Sequence, residues 1–230
     1  MKKYYITLSA LMAFLSFYAQ NTDTSVDKAV LKQALIYADS EIAVNSMYNI
    51  IAKEGENSTY KDSLAYLYFN SRKYSSCFMV CSDILTKDSN KQDILEMQAI
   101  SLENLMALEK AAQVYAKLVT KSNNNYHAYK LANIYYVLKN YDQALMAIKK
   151  AEELKDTGEV KISYAINKNY SQQVALTSAI AFTRGLIEAA QEKNDAAIAS
   201  FQKAVNIQSD FALAKDNLEA LKAGKEVKKE

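Results

Sequence analysis

The chain has 230 residues, which is enough for one domain of ordinary size or for one extended repeat array. Half of its residues are hydrophobic, and this excludes a globally disordered protein. Proline is absent and glycine occurs only 4 times, so the scarcity of helix breakers predicts helices rather than sheets.

The N-terminus has the pattern of a secretory signal peptide. Lys2 and Lys3 precede an uncharged stretch from Tyr4 to Tyr18, and the small residue Ala19 follows it. We therefore expect residues 1–19 to be removed from a periplasmic or secreted protein that keeps no membrane span. The alternatives are a retained anchor, for which the stretch is short, and a buried apolar helix.

Removal of this segment would change the balance of charges. The chain carries 28 basic and 26 acidic residues, and the excess consists of Lys2 and Lys3. The remaining chain is formally neutral, so we expect no nucleic-acid partner, which would require a basic field.

A repeated pattern of small residues follows. A small residue with apolar residues four and seven positions later recurs at intervals of 34, 34, 33 and 53 residues, at Ala43, Cys77, Ala111, Ala144 and Ala197. A second small residue stands twelve positions before each of the last four, at Ala65, Ala99, Ala132 and Gly185. Small residues on facing helices allow close approach, so the pattern predicts pairs of packed helices. Asparagine-containing turns are expected at 70–73, 139–140 and 193–195.

The segment from Lys130 to Ala151, KLANIYYVLKNYDQALMAIKKA, resembles a tetratricopeptide repeat in its pattern of small and aromatic residues. The proline that usually ends such a unit is absent throughout. The resemblance implies an all-α, right-handed solenoid of about five helix-turn-helix repeats over residues 24–222, with a degenerate first unit at 24–56.

Two cysteines and one histidine could suggest a reactive or metal-binding site. Cys77 and Cys81 lie four residues apart, which places them on one face of a helix, where they are expected to be buried core residues rather than a disulfide. His127 is expected to be a surface residue at the start of a helix. This inventory predicts no metal site and no cofactor.

The last interval exceeds one repeat by about 20 residues, which predicts an insertion at 157–177. Alternating residues at 160–166 and strand-forming residues at 170–176 flank a turn signal, so the insertion is a candidate β-hairpin; an irregular loop is the alternative. Residues 210–223 predict an amphipathic capping helix, and 223–230 a flexible tail.

No catalytic residues are expected. The chain has one histidine, no glycine-rich loop and no nucleophile within a recognisable motif, so the sequence predicts a protein that is not an enzyme.

The resemblance implies that the first helix of each repeat lines a concave groove that binds a protein or peptide. The predicted contact residues are Tyr66, Phe69, Asn70, Tyr129, Asn133 and Tyr136. Glu96, Glu103 and Asn104 would lie between them, which favours an extended partner whose apolar anchors flank a Lys or Arg. The fifth repeat would contribute Phe182, Leu186, Ala189 and Ala190.

The sequence therefore predicts a non-catalytic scaffold that binds a partner in its groove. The alternative is a structural subunit of an envelope complex that uses the convex face or the insertion. A third possibility is an accessory module of an enzyme complex. The oligomeric state is left open.

Overall fold

The structure is a computed structural model that describes residues 23–155 and 160–227. The predicted signal peptide at 1–19 and residues 157–159 of the predicted insertion lie outside the described residues. The chain divides into two compact units, the first ending at Lys87 and the second beginning at Asp88, and each is described by itself.

Helices dominate the described part of the chain. The first unit contains α1 Ser25–Ile36, α2 Ser40–Glu54, α3 Tyr60–Asn70 and α4 Tyr74–Lys87. The second unit contains α5 Gln92–Asn104, α6 Leu108–Ser122, α7 Asn125–Val137, α8 Tyr141–Glu153, β1 Lys161–Asn167, β2 Tyr170–Ala175, α9 Leu176–Ala190, α10 Asn194–Ile207 and α11 Ala212–Lys222. Consecutive helices pack in pairs, α1 with α2, α3 with α4, α5 with α6, α7 with α8 and α9 with α10. The predicted all-α solenoid of about five helix-turn-helix repeats is confirmed.

The turn inside each repeat uses a residue in the left-handed region. Positive φ values recur at the same intervals as the small residues of the sequence, at Ala38, Arg72, Met106, Lys139 and Glu192. In each turn the next amide donates to a carbonyl five residues earlier, as Asn140 N does to Tyr135 O at 2.8 Å. This hydrogen-bond pattern satisfies the free carbonyls at a helix end. The expectation that asparagine adopts these angles is wrong, because the hydrogen bonds select the position and not the residue type.

The predicted small residues line the seams between helices. Ala43, Cys77, Ala111, Ala144 and Ala197 have no exposed surface, and the same is true of Ala65, Ala99 and Ala132. Cys77 and Cys81 are both buried in α4 and are not joined by a disulfide; their sulfur atoms lie 3.8 Å apart, which confirms the core position. The repeat pattern of the sequence is therefore a packing pattern.

The insertion forms an antiparallel hairpin, as predicted. β1 and β2 pair with Ser163 opposite Gln173, and the register shifts between Ala165 and Asn167. Tyr164 is the buried anchor of the hairpin: its ring lies 5.5 Å from that of Phe182 on α9 and 5.0 Å from that of Phe211 before α11. The hairpin is therefore part of the core of the second unit.

The hairpin also ties the capping helix to the repeats. The Gln172 side chain donates to Asp210 O at 2.6 Å and accepts from Ala212 N at 3.1 Å. The Gln208 side chain accepts from Ala175 N at 2.9 Å. The Gln172 bonds satisfy backbone groups at the start of α11, which covers the end of the array as predicted, and the Gln208 bond satisfies the amide just before α9.

A charged network joins three helices of the second unit. Glu188 replaces the large apolar residue found at this register position in other repeats, and it is buried. Its carboxylate accepts from Arg184 at 2.8 Å and from the Ser200 hydroxyl at 2.6 Å. Arg184 also donates to Glu152 at 2.7 Å, and Lys203 donates to the other oxygen of Glu152 at 2.8 Å. Each oxygen of the buried carboxylate thus accepts a hydrogen bond, which offsets the cost of its burial.

The network predicts a loss of stability in acid. Partial burial raises the pKa of Glu152, but the hydrogen bonds from Lys203 and Arg184 outweigh this effect, and the net pKa is lower than usual. Because the pKa is lower in the folded chain than in the unfolded one, the stabilisation is present above the unfolded value and is lost as the pH falls. We expect Glu152→Gln to reduce the fall in melting temperature between about pH 6 and pH 3.5.

The neighbouring Glu153, whose side chain is 67% exposed, provides the control. Glu153→Gln should retain the acid sensitivity of the unmodified protein. Equal acid sensitivity in the Glu152→Gln protein and this control would contradict the assignment to Glu152.

Candidate functional site

An open groove lies between α1 and α3 of the first unit, and we call it the first groove. Its volume is about 770 Å³, and it is lined by Lys28, Leu31, Lys32, Leu35, Ile36, Met47, Tyr60, Ser63, Tyr66, Leu67 and Asn70. Two of the predicted contact residues, Tyr66 and Asn70, are exposed here; Tyr66 is 44% exposed. Phe69 is half-buried outside the lining and packs edge-to-face on Tyr74, with ring centroids 6.3 Å apart.

The charges along the first groove are positive. Lys28 and Lys32 are one helical turn apart on α1, and none of the described residues that line the groove is acidic. The Lys28 ammonium lies 2.8 Å from Glu54 and 5.4 Å from the centre of the Tyr60 ring. The hydrogen bond to Glu54 raises the pKa of Lys28 above its usual value. The side of the groove that α1 forms, which we call the α1 wall, therefore combines apolar surface with ammonium groups. It consists of Lys28, Leu31, Lys32, Leu35 and Ile36.

A second groove, of about 400 Å³, lies in the second unit and contains Asn133. The Asn133 amide donates to Tyr129 O in its own helix at 2.9 Å, and its oxygen lies 3.5 Å from the Thr183 hydroxyl. The amide hydrogen-bonding capacity that would serve a peptide backbone is thus partly used. The other residues of this groove are Glu103, Asn104, Met106, Leu108, Ile134 and Val137.

Tyr136 lines a different opening, the tail pocket, of about 420 Å³. The fifth-repeat residues Leu186, Ala189 and Ala190 form one side of it, and residues 224–227 of the C-terminal segment form another. The predicted flexible tail is thus placed beside the predicted groove as far as Val227, which is half-buried. Tyr136 and Asn133 line separate openings.

Tyr129 and Phe182 lie in the interior, in contrast to the exposure expected for partner contact. Tyr129 is 6% exposed, and its hydroxyl lies 3.2 Å from that of Tyr164 on the hairpin. Phe182 is 1% exposed and contacts the rings of Tyr164, Phe201 and Phe211. The reason is the insertion, because β1 covers the surface that both side chains would otherwise present.

Glu103, one of the acidic residues predicted to meet a basic group of the partner, already has partners within the chain. Glu103 accepts hydrogen bonds from the Tyr115 hydroxyl at 3.1 Å and from Lys130 at 2.5 Å. Burial raises the pKa of Tyr115 well above its usual range, with the nearby Glu103 charge adding to the effect. Tyr115 therefore remains a hydrogen-bond donor to Glu103 at physiological pH. A Lys or Arg of a partner would therefore have to displace these hydrogen bonds to reach Glu103.

His127 is buried, and its predicted surface position is wrong. Only 5% of it is exposed, because α6 and the following turn close over the start of α7. Its Nδ1 atom lies 2.8 Å from the Ser122 hydroxyl, and its Nε2 atom lies 3.5 Å from a Glu96 oxygen. The ring therefore serves as a packing element with one well-formed hydrogen bond.

The sequence reasoning missed the α1 wall of the first groove. Leu35 and Ile36 are 53% and 63% exposed, although α1 also buries Leu31 and Ala34 against its neighbours. The sequence contained a signal for this wall, because α1 carries apolar residues on more than one side. A helix that buries a single face has one apolar stripe. The degenerate pattern of the first repeat concealed this wall.

Within residues 23–155 and 160–227, no group of three or more His, Cys, Asp or Glu side chains is arranged to hold a metal ion. None of the helices formed by these residues is long and apolar enough to cross a membrane.

The comparisons with known proteins bear on the fold. No protein-family model and no curated protein matches the sequence. Among solved structures, the chain is similar to YrrB, described as a TPR protein with an unusual peptide-binding site, at 15% identity and a TM-score of 0.65, covering 88% of this chain and 95% of that one. It is also similar to the MamA protein, at 14% identity and a TM-score of 0.64, covering 82% of this chain and 93% of that one.

A third similar structure is MamA from Desulfovibrio magneticus RS-1, at 14% identity and a TM-score of 0.61 over 82% of this chain and 97% of that one. Identities this low are informative about the fold alone. Together with the repeated helix pairs and their seams of small residues, the similarities show that the fold of this chain is that of the tetratricopeptide-repeat proteins.

Proposed function

We propose that this protein is a non-catalytic scaffold that binds a protein or peptide partner in the groove formed by the first helices of its repeats. The observation that carries the proposal is the first groove, an opening of about 770 Å³ between two first helices, lined by Tyr66 and Asn70. A groove that is open and walled by exposed apolar side chains is the kind of surface that partner proteins cover.

The residues of the first groove suit a peptide. A tyrosine ring supplies a large contact area at low entropic cost, and Tyr66 leaves 44% of its surface exposed. The exposed Asn70 amide stands at the end of the same helix, where it can bond the backbone of an extended segment. The similarity in fold to a TPR protein described as having a peptide-binding site is consistent with this role.

The proposal predicts a specific loss of binding in the Tyr66→Ala protein. A partner recovered by crosslinking to the mature protein in its own envelope should bind this variant about tenfold more weakly, since anchor aromatics account for much of the binding energy. Tyr37→Ala is the matched control: Tyr37 follows α1, is 73% exposed and does not line the first groove. Isothermal titration measures both affinities, and circular dichroism checks that the variants are folded.

Unchanged affinity of the partner for Tyr66→Ala would favour the structural-subunit alternative. Contacts would then be sought on the second helices of the repeats, where Met79 and Met146 are 64% and 72% exposed, or at the tip of the hairpin, where Tyr170 is 58% exposed. Met146→Glu should abolish assembly in that case, because a buried charge would enter an apolar contact.

The scaffold is further proposed to act outside the cytoplasm, as the N-terminal pattern of residues 1–19 suggests. Mass spectrometry of the native protein should then find a chain that lacks about 19 residues at its N-terminus. Recovery of the intact chain, including Met1, from a cytoplasmic fraction would contradict export.

A further inference from the structure

We infer that the first groove recognises a peptide segment that carries bulky apolar side chains beside an acidic side chain. This inference rests on the proposed function and specifies the partner of the same groove. The charge inferred for the partner is opposite to that of the sequence-based expectation, which placed a Lys or Arg in the partner.

The apolar part of the inference follows from the α1 wall. Leu31 and Met47 form a buried floor, at 6% and 3% exposure, while Leu35 and Ile36 rise beside it at 53% and 63% exposure. Tyr66 faces the same opening from α3. Apolar surface of this kind is released from water only when a partner places apolar side chains against it.

The acidic part follows from the charges that line the groove. Lys28 and Lys32 share one face of α1 because they are four residues apart. Glu54 pairs with Lys28 from outside the lining, but among the described residues no ion pair or hydrogen bond engages the Lys32 ammonium. Lys32 is therefore available to a carboxylate of the partner, next to the apolar wall.

Glu103 of the second unit does not offer a comparable site for a basic partner. Glu103 is held by Lys130 and Tyr115, and a ligand would have to break these bonds to use it. Recruiting Lys32 breaks no such bond. An acidic segment is favoured over a basic one because Glu103 already has hydrogen-bond partners, whereas Lys32 has none among the described residues.

The test is a selection of random peptides displayed on phage against the mature protein, with the peptides blocked at the C-terminus by the display protein. Enriched sequences are expected to combine large apolar residues with Asp or Glu. Because the displayed peptides have no free terminal carboxylate, enrichment would show that a side-chain carboxylate suffices.

Synthetic versions of an enriched peptide then locate the site. Lys32→Glu should weaken binding by about tenfold or more, as expected when a matched charge is reversed. Lys73→Glu, the same reversal at an exposed lysine outside the groove, should leave the affinity within about twofold. Changing the acidic residue of the peptide to lysine should restore its binding to the Lys32→Glu protein.

Three outcomes would overturn the inference. Enrichment of peptides with Lys or Arg beside the apolar residues would reverse its charge. Enriched peptides whose affinity is insensitive to both Lys32→Glu and Tyr66→Ala would show that peptides bind elsewhere, which leaves the scaffold function intact and removes this site. Failure to enrich any peptide class would overturn this inference, while the scaffold function would still be tested by the affinity of the crosslinked partner for the Tyr66→Ala protein.

Discussion

Replacing Phe182 with alanine is expected to destabilise the protein by about 3–5 kcal/mol, the usual cost of removing a buried aromatic ring. Phe182 is 1% exposed, and its ring centre lies 4.9 Å from that of Phe211, 5.5 Å from that of Tyr164 and 5.6 Å from that of Phe201. These rings come from the connection before α11, from β1 and from α10, so the cavity would weaken three contacts at once. Urea unfolding followed by circular dichroism measures the loss.

The result also distinguishes a core role for Phe182 from the groove role that the register implied. Tyr170→Ala serves as the control, because this ring lies in the hairpin but is 58% exposed. It should change stability by no more than about 0.5 kcal/mol. A small loss for Phe182→Ala, comparable to that of the control, would mean that the ring cluster contributes little to the fold.

The second large effect is expected at Gly185, where α9 passes close to α10. A Cβ atom built at this position would lie 2.6 Å from two carbon atoms of the Phe201 ring, closer than packed side chains allow. Phe201 has no exposed surface and cannot swing away into solvent. Gly185→Ala should therefore cost about 1–3 kcal/mol through overpacking.

The sign of this effect is informative, because the intrinsic preferences of the helix act in the opposite direction. Alanine is favoured over glycine in a helix interior by about 0.5–1 kcal/mol, so a net loss requires the contact with Phe201. Unfolding measurements on Gly185→Ala, Phe201→Leu and the double variant form a thermodynamic cycle. The double variant should be more stable than the sum of the two single losses predicts. Additive losses, or a net gain for Gly185→Ala alone, would exclude the close approach of α9 and α10.

The candidate site shows how far a repeat register can be extended. The register named Tyr66, Asn70 and Tyr136 as lining residues, and each lines an opening in the unit that contains it. It also named Tyr129 and Phe182, which are buried. A register describes where a side chain points on an isolated helix pair, and it does not describe what a later segment places on top. The hairpin is such a segment.

The charged groups show a similar gap between sequence and structure. Glu103 is visible in the sequence as an acid on the first helix of a repeat, but Tyr115 and Lys130, which neutralise and bind it, stand 12 and 27 residues away. Lys32 is one of many lysines in the sequence, and it stands out because the part of the chain that the structure describes places no acid in the lining of the first groove. Whether a charge is free depends on its neighbours in space.

The helix pairs, their seams and the hairpin could be predicted from the sequence because each depends on periodicity. Ala111, Ala144 and the other small residues recur at the repeat length, residues 160–166 alternate and residues 170–176 contain strand formers, so local pattern and tertiary packing agree. The burial of Tyr129, Phe182 and His127, the buried carboxylate of Glu188 and the α1 wall of the first groove required the tertiary structure. Each depends on contacts between residues distant along the chain, and no local period encodes which segment will cover a given face or leave it open.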